Sequence, residues 1–289
     1  MFGLLAYGIW GLFPLYWPLL EPAGAVEIVA HRSLWSLVFL AGVVTLTRGW
    51  RVVGQTFANP RTRWLLLVAA VLVSLNWTGY IWAVNNAHVV EASLGYFINP
   101  LVSVVIGVLV LRERLRVVQW VAVGIAAVAV AVLTVDYGRP PWVALLLAGT
   151  FATYGLAKKI ANVPAVPSLT VETAYLAPVA LGILTWLAVS GTGLFSRDWS
   201  TSLLLAGSGV VTALPLLAFG AAAIRIPLSA LGILQYITPV MQFLLGVLLF
   251  HEVLTGVAWF GFTMIWIALV IFSADAFRIA AKSAGATRH

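Results

Sequence analysis

Residues 91–113 read EASLGYFINPLVSVVIGVLVLRE, and residues 230–252 read ALGILQYITPVMQFLLGVLLFHE. Laid on one another, Pro100 meets Pro239, Gly107 meets Gly246 and Glu113 meets Glu252. Beyond them Trp120 and Trp259 keep the register. Each stretch is apolar enough to cross a bilayer, yet carries a proline near its middle. Interrupted membrane helices at matching positions in two halves of a chain are how many transporters build a binding site, so the duplication points to transport.

Composition bounds the rest. Hydrophobic residues make up 62% and charged residues 9% of 289 positions, far from the values of soluble domains. The net charge of +7 forms no basic patch, because the charges sit in short gaps between apolar runs; nucleic acid is therefore not an expected partner. Thirteen Trp suit belts at headgroup depth. The absence of Cys excludes disulfides, thiolate chemistry and Cys-based metal sites, and four scattered His give no ligand spacing. There is no P-loop, dinucleotide-binding glycine pattern, HExxH or nucleophile elbow, so no cofactor, metal or enzymatic activity is expected.

Ten apolar runs lie near 2–20, 26–46, 64–85, 90–111, 117–135, 141–158, 169–190, 200–223, 228–250 and 255–274, each long enough to cross ~30 Å of hydrocarbon. Ala23-Gly24-Ala25 looks like a cleavage site, but no basic segment precedes the first run and that run is too long for a signal peptide, so it is expected to be a span. Taking the gaps alternately, one set with the C-terminal tail holds Arg48, Arg51, Arg61, Arg63, Arg112, Arg114, Arg116, Lys158, Lys159, Arg225, Arg278, Lys282 and Arg288. The other set holds only Arg139 and Arg197, and Arg32 lies within a run. That bias places the first set and both termini in the cytoplasm of a cell-membrane protein. Five runs per half is an odd number, so the halves enter from opposite sides. The fold class is an all-α polytopic membrane protein of ten transmembrane helices in two inverted five-helix repeats, residues 1–138 and 139–276, with a tail at 277–289.

Several polar groups sit inside these runs. Pro100 and Pro239 lack an N–H, so the carbonyls of Tyr96 and Gln235 are expected to be free and both helices to break there. Tyr96, Asn99, Ser103 and Gly107 share one helical stripe; Gln235, Thr238, Gln242 and Gly246 make its counterpart, with Tyr236 beside it. Such stripes line a wet cavity or pack helices together. Glu27, His31 and Arg32 are ionisable candidates for coupling: Glu27 and His31 share a face, and Arg32 lies on the next. The alternative for all three is snorkelling to water near the end of the span. Asn76, Trp77 and Tyr80 offer amide, indole and phenol over one turn, suited to an amphipathic organic ligand or to interfacial anchoring. Tyr7, Trp10, Thr150 and Tyr154 are weaker versions of that signal. Glu172, the rough repeat counterpart of Glu27, reads as a gate or, in the reading preferred here, as a charge at a helix N-terminus. The fifth and tenth runs are nearly uniformly apolar, as a lipid-facing or dimer-forming surface would be.

Trp10-Gly11 with Pro14, Glu27 with His31-Arg32, Asn76-Trp77 and the stretch from Glu91 to Leu101 resemble the RarD branch of the EamA part of the drug/metabolite transporter superfamily. So do Glu172-Thr173, Thr212-Ala-Leu-Pro215, Gln235-Tyr236-Ile-Thr-Pro239 and Phe262-Thr-Met-Ile-Trp266. The resemblance covers nearly the whole chain. It implies ten spans in two inverted repeats around a central cavity, and export or exchange of small metabolites. The leading reading is a secondary transporter working by alternating access. Its substrate pathway is expected to include Trp10, Asn76, Trp77, Tyr80, Tyr96, Asn99, Tyr154, Gln235 and Tyr236, and its partners are a small organic molecule and the lipid bilayer. The alternative is an intramembrane lipid-modifying enzyme, for which Glu27–His31 is the only acid/base pair. A membrane scaffold would leave the paired stripes without a reason.

Overall fold

The computed structural model describes residues 1–21, 23–86, 88–138, 140–249 and 256–286; Arg139 and the gap 251–254 with Glu252 lie outside the described residues. The described residues are helical throughout, without strands. The helices are α1 (Phe2–Gly11), α2 (Phe13–Tyr16), α3 (Ala25–Leu46), α4 (Trp50–Ala58), α5 (Pro60–Asn85), α6 (Val89–Leu109), α7 (Val117–Tyr137), α8 (Trp142–Ala161), α9 (Ala165–Ser190), α10 (Trp199–Ala223), α11 (Leu228–Leu234), α12 (Ile237–Leu248) and α13 (Gly256–Ala286). Among the described residues eight helical segments are long and apolar enough to cross a membrane, the first being the broken stretch Phe2–Leu20. Residues 228–250 form the two short helices α11 and α12, and the apolar part of α13 spans Trp259–Asp275. The outward faces carry large apolar side chains that water would not tolerate in such number. Trp50, Trp64, Trp120, Trp142, Trp186 and Trp199 are exposed, each within a few residues of a helix end, as suits amphipathic rings at headgroup depth.

Three expectations need correction. The first run is not one helix: Pro14 has no N–H to give the Trp10 carbonyl, the helix stops at Gly11, and after α2 the chain finishes in a 3-10 turn, Trp17–Leu20. Pro100 does not break its helix, for α6 runs through it from Val89 to Leu109. Proline deletes one hydrogen bond, and α6 is held on both sides by α8 and α11; the close approach is visible at Gly232, where an added Cβ would meet the Pro100 carbonyl at 2.8 Å. The second helix does break, but at Gln235–Tyr236, ahead of Pro239. Pro239 falls in the first turn of α12, where its missing N–H has no intrahelical partner to lose. The Gln235 carbonyl is not free either: it accepts the N–H of Thr238 at 3.1 Å.

Small residues set the helix spacing, since without a hydrophobic force between membrane helices close backbone packing must hold them. Ala218 and Gly220–Ala223 bury one end of α10, and Ser36 Oγ donates to the carbonyl of Gly209 at 2.8 Å, locking α3 on α10. A Cβ on Gly209 would collide with the backbone joining Trp35 and Ser36. Gly209→Ala is therefore expected to lower stability by about 1–3 kcal/mol, read as earlier thermal unfolding in detergent. Gly149→Ala, where a Cβ meets nothing within 4 Å, is the control that should stay neutral or gain slightly. At the edge of the bundle α7 packs chiefly on α13 and exposes Val117, Val121, Val128 and Val135. Arg116 and Asp275 pair across these two helices at 3.4 Å.

Candidate functional site

Helical spacing puts His31 and Arg32 on neighbouring faces of α3, and the structure sends them to different partners. Arg32 turns into the bundle. Its Nε donates to Thr212 Oγ1 of α10 at 3.0 Å, and its guanidinium lies 4.2 Å from the Trp77 ring centroid and 5.0 Å from that of Trp17. Tyr96 is within its electrostatic reach, and Tyr96 meets Tyr80 edge-on at 6.2 Å. Arg32, Trp77, Tyr80 and Tyr96, read in the sequence as separate signals, thus gather in one place. Among the described residues no carboxylate pairs with Arg32. The two indole faces partly replace that missing charge, each such contact contributing roughly 0.5–2 kcal/mol.

Beside it Ser33, Ser36, Trp77, Tyr154, Glu172 and Thr212 line an internal cavity of about 10 Å³, room for about one water. An aromatic cluster adjoins: Trp10 lies 5.6 Å from Phe151 and 5.8 Å from Phe219, and Tyr154 stacks on Phe219 at 5.6 Å. Trp10 and Tyr154 therefore sit together, tying α1, α8 and α10.

Other predicted residues are committed to holding helices. Asn76 donates to the Leu147 carbonyl at 2.8 Å and to Thr150 Oγ1 at 3.0 Å, joining α5 to α8. Tyr236 is fully buried and donates to the Phe97 carbonyl at 3.1 Å. Thr238 and Gln242 donate to the carbonyls of Tyr7 and Trp10 at 2.9 and 3.4 Å, fastening α12 to α1. Asn99 is buried and accepts from Ser103 at 3.4 Å; Gln235 is also buried. The two stripes thus do not face one another across an open space.

Glu27 and His31 occupy a second place. Glu27 Oε1 accepts the N–H groups of Leu194 and Phe195 at 2.7 and 3.2 Å, pinning the α9–α10 loop, and stands 3.9 Å from His31 Nε2. His31 stacks on Phe195 at 4.7 Å, and both nitrogens of its buried ring lack a hydrogen-bond partner. Both residues line a recess of about 600 Å³ between α3, α9 and that loop. Neither residue bonds to Arg32.

The sequence reading passed over Lys158, counted there with the loop cations, and preferred a dipole role for Glu172 to a gate. The structure buries both side chains and pairs them at 2.5 Å. The available signal was spacing: Tyr154 with Lys158, and Ser168 with Glu172, are each four apart and share a helix face. Trp17 carried no signal beyond its type, and Thr212 only its place in the Thr212–Pro215 stretch of the family resemblance. Glu113, used only as a register mark, accepts from Leu228 N at 2.6 Å and from the N–H and hydroxyl of Ser229 at 2.9 and 2.7 Å, so one half of the chain caps a helix of the other.

Residues 1–135 match the EamA-like transporter family. Protein RarD of Streptomyces exfoliatus is 56% identical over 284 residues, covering 98% of this chain and 90% of that protein. An uncharacterized transporter of Vibrio cholerae is 46% identical over 276 residues, 95% of this chain and 91% of that one. A protein of known crystal structure shares 18% identity at a TM-score of 0.71, over 94% of this chain and 96% of its own, a likeness of fold alone. With apolar spans throughout and relatives of this identity over almost its full length, the chain is a multi-pass membrane protein that belongs to the RarD group of the EamA-like transporter family.

Proposed function

We propose that this chain is a secondary transporter that moves small organic metabolites or drugs across the cell membrane by alternating access. Its ten spans would form two inverted five-helix repeats with both termini in the cytoplasm. The observation that carries the reading is Arg32: an intramembrane guanidinium lying over Trp77 and Trp17, bonded to Thr212 and free of any carboxylate among the described residues. Cations within the membrane are costly and are normally paired. One left among aromatic faces suits a solute with an acceptor or anionic end and an apolar body. The adjoining space holds about one water, which fits an occluded stage of the cycle with the pathway closed at both ends. Asn99 and Gln235, buried in the two proline helices, belong to the surfaces that part when the path opens.

The purified protein in proteoliposomes is expected to exchange some members of a panel of radiolabelled organic acids and amphipathic drugs, saturably and without ATP. No exchange across the panel by folded protein would count against transport. Topology is tested in the same membranes. Arg114→Cys and Thr192→Cys, introduced into the Cys-free chain at exposed positions, should react with an impermeant thiol reagent from opposite sides, Arg114→Cys from the cytoplasm. Labelling of both from one side would end the proposed orientation.

A further inference from the structure

Lys158 and Glu172 form a buried ion pair that the Arg32 site does not use. Their side chains are 2% and 1% exposed, and three neighbouring donors converge on the carboxylate. Glu172 Oε1 accepts from Lys158 Nζ at 2.5 Å and from Ser168 Oγ at 2.9 Å, while Oε2 accepts from the Tyr154 hydroxyl at 3.1 Å. Lys158 also donates to Ser168 at 2.7 Å. The stem of Lys158 lies in a slot against α10, where a Cβ on Gly220 would sit 3.2 Å from its Cε and 3.6 Å from the Ala165 side chain. Lys159 next to it holds the carbonyls of Ala223 and Ile226 at 3.3 and 2.6 Å. The cluster thus fastens α8, α9 and the end of α10 at the α8–α9 turn.

A purely structural fastening would be made more cheaply by apolar side chains, because the desolvation of two charges commonly exceeds their attraction. What apolar side chains cannot do is bind a proton. Glu172 is placed for that. It lines the water-sized cavity together with Tyr154 and Thr212, and the Thr212 hydroxyl accepts from Arg32. Lys158 and Ser168 lie on the other side of Glu172, toward the turn. We infer that Glu172 is the proton-binding site of the transport cycle and that its protonation opens this end of the bundle. The inference rests on the transporter reading for its purpose, though not for its test.

The step balances simply. A proton arriving through the cavity adds to a Glu172 carboxylate oxygen, turning COO⁻ into COOH. Lys158 keeps its own proton and becomes a buried cation without a counter-charge. Such a state is costly, so it favours the arrangement in which α8 and α9 part and the ammonium reaches water. Loss of the proton restores the pair and closes the turn. Other charges are poorly placed to stand in for Glu172. On α3, Arg32 is held by Thr212, and Glu27 with His31 faces the recess under the α9–α10 loop. On α10 there is no charged residue, and Arg225 beyond it donates to Ala221 and lies over Phe2. Arg51 of α4, Arg61, Arg63 and Tyr80 of α5, and Glu91 and Tyr96 of α6 are the remaining titratable groups on packed helices, with Tyr175 on α9 stacked on Phe57 and Glu113 capping α11.

The test uses the full chain in liposomes with no solute. A single cysteine at Ala165, beside the Lys158 slot, reports opening through its maleimide labelling rate, divided by that of Arg114→Cys to remove the pH dependence of the thiolate itself. As pH falls, the corrected rate should rise by about tenfold, the change that a 1.4 kcal/mol shift in the opening equilibrium produces. Glu172→Gln, fixed in the neutral form, should label fast and without pH dependence. Tyr154→Phe removes a donor to the charged form, which makes protonation easier, so its transition should move to higher pH; it serves also if Glu172→Gln fails to fold. The inference is overturned if Glu172→Gln keeps the slope or labels slowly at every pH, or if the Tyr154→Phe transition stays in place or moves down. None of these results bears on whether the protein transports a solute, which the exchange panel decides separately.

Discussion

Replacing Arg32 with methionine is expected to abolish or sharply reduce solute exchange while leaving the protein at least as heat-stable as the parent. A hydrogen bond to a charged group contributes about 1.5–3 kcal/mol, so affinity for a solute bound through the guanidinium should fall roughly 10- to 150-fold. Stability should move the other way or not at all. The substitution gives up one bond to Thr212 and two ring contacts, but it also removes a partly buried charge that has no carboxylate among the described residues. Methionine fills a similar volume without strain. Arg32→Lys should fall between the two, because a compact ammonium cannot lie flat on an indole or present a planar fork. The measurement pairs exchange rates with thermal unfolding of the same preparations. Normal exchange by Arg32→Met would remove Arg32 from the solute path, and a large loss of stability would make it a packing residue.

Lys158→Met alone should destabilise the protein by about 3–5 kcal/mol, because it strands the Glu172 carboxylate in the interior. Adding Glu172→Met should recover most of that loss, and the double variant should unfold within about 1 kcal/mol of the parent or above it, since a well-packed apolar pair often equals a buried ion pair. A cycle of the two single variants, the double variant and the parent isolates the coupling. Additive losses would show that each side chain is held by its other partners, Ser168 and Tyr154, and not by the pair. A stable but inactive double variant would mark the pair as kept for work, which is the ordinary trade at functional sites.

Much of this protein is legible from its residues, for identifiable reasons. Length and apolarity mark the membrane helices because a bilayer demands both in one stretch, and eight such segments stand among the described residues, the first of them broken at Leu12. Helical period put Glu27 and His31 on one face, where the structure holds them 3.9 Å apart, but it also grouped Asn76 with Trp77 and Tyr80, and the structure turns Asn76 to α8. It failed where the local rule met packing. Proline was read as a helix breaker at both positions, yet α6 runs straight through Pro100, supported by α8 and α11, whereas the chain breaks at Gln235–Tyr236 before Pro239 is reached. The amphipathic α4 was missed because a short helix between spans leaves only a weak pattern among the Arg residues of its gap.

The sequence by itself determined that the chain lives in a bilayer, that it carries a duplicated proline helix and that a few ionisable groups must be buried there. Each of those follows from composition or from spacing along one segment. Which of the buried groups meet was decided only by the tertiary structure. Arg32 finds Thr212 180 positions away, Lys158 finds Glu172 across a turn, and Glu113 finds the start of α11 115 positions on. A helix face records that a polar group needs a partner, but not which neighbour is brought to it. That depends on how closely two backbones approach, and here residues without side chains, such as Gly209, Gly220 and Gly232, set the distance.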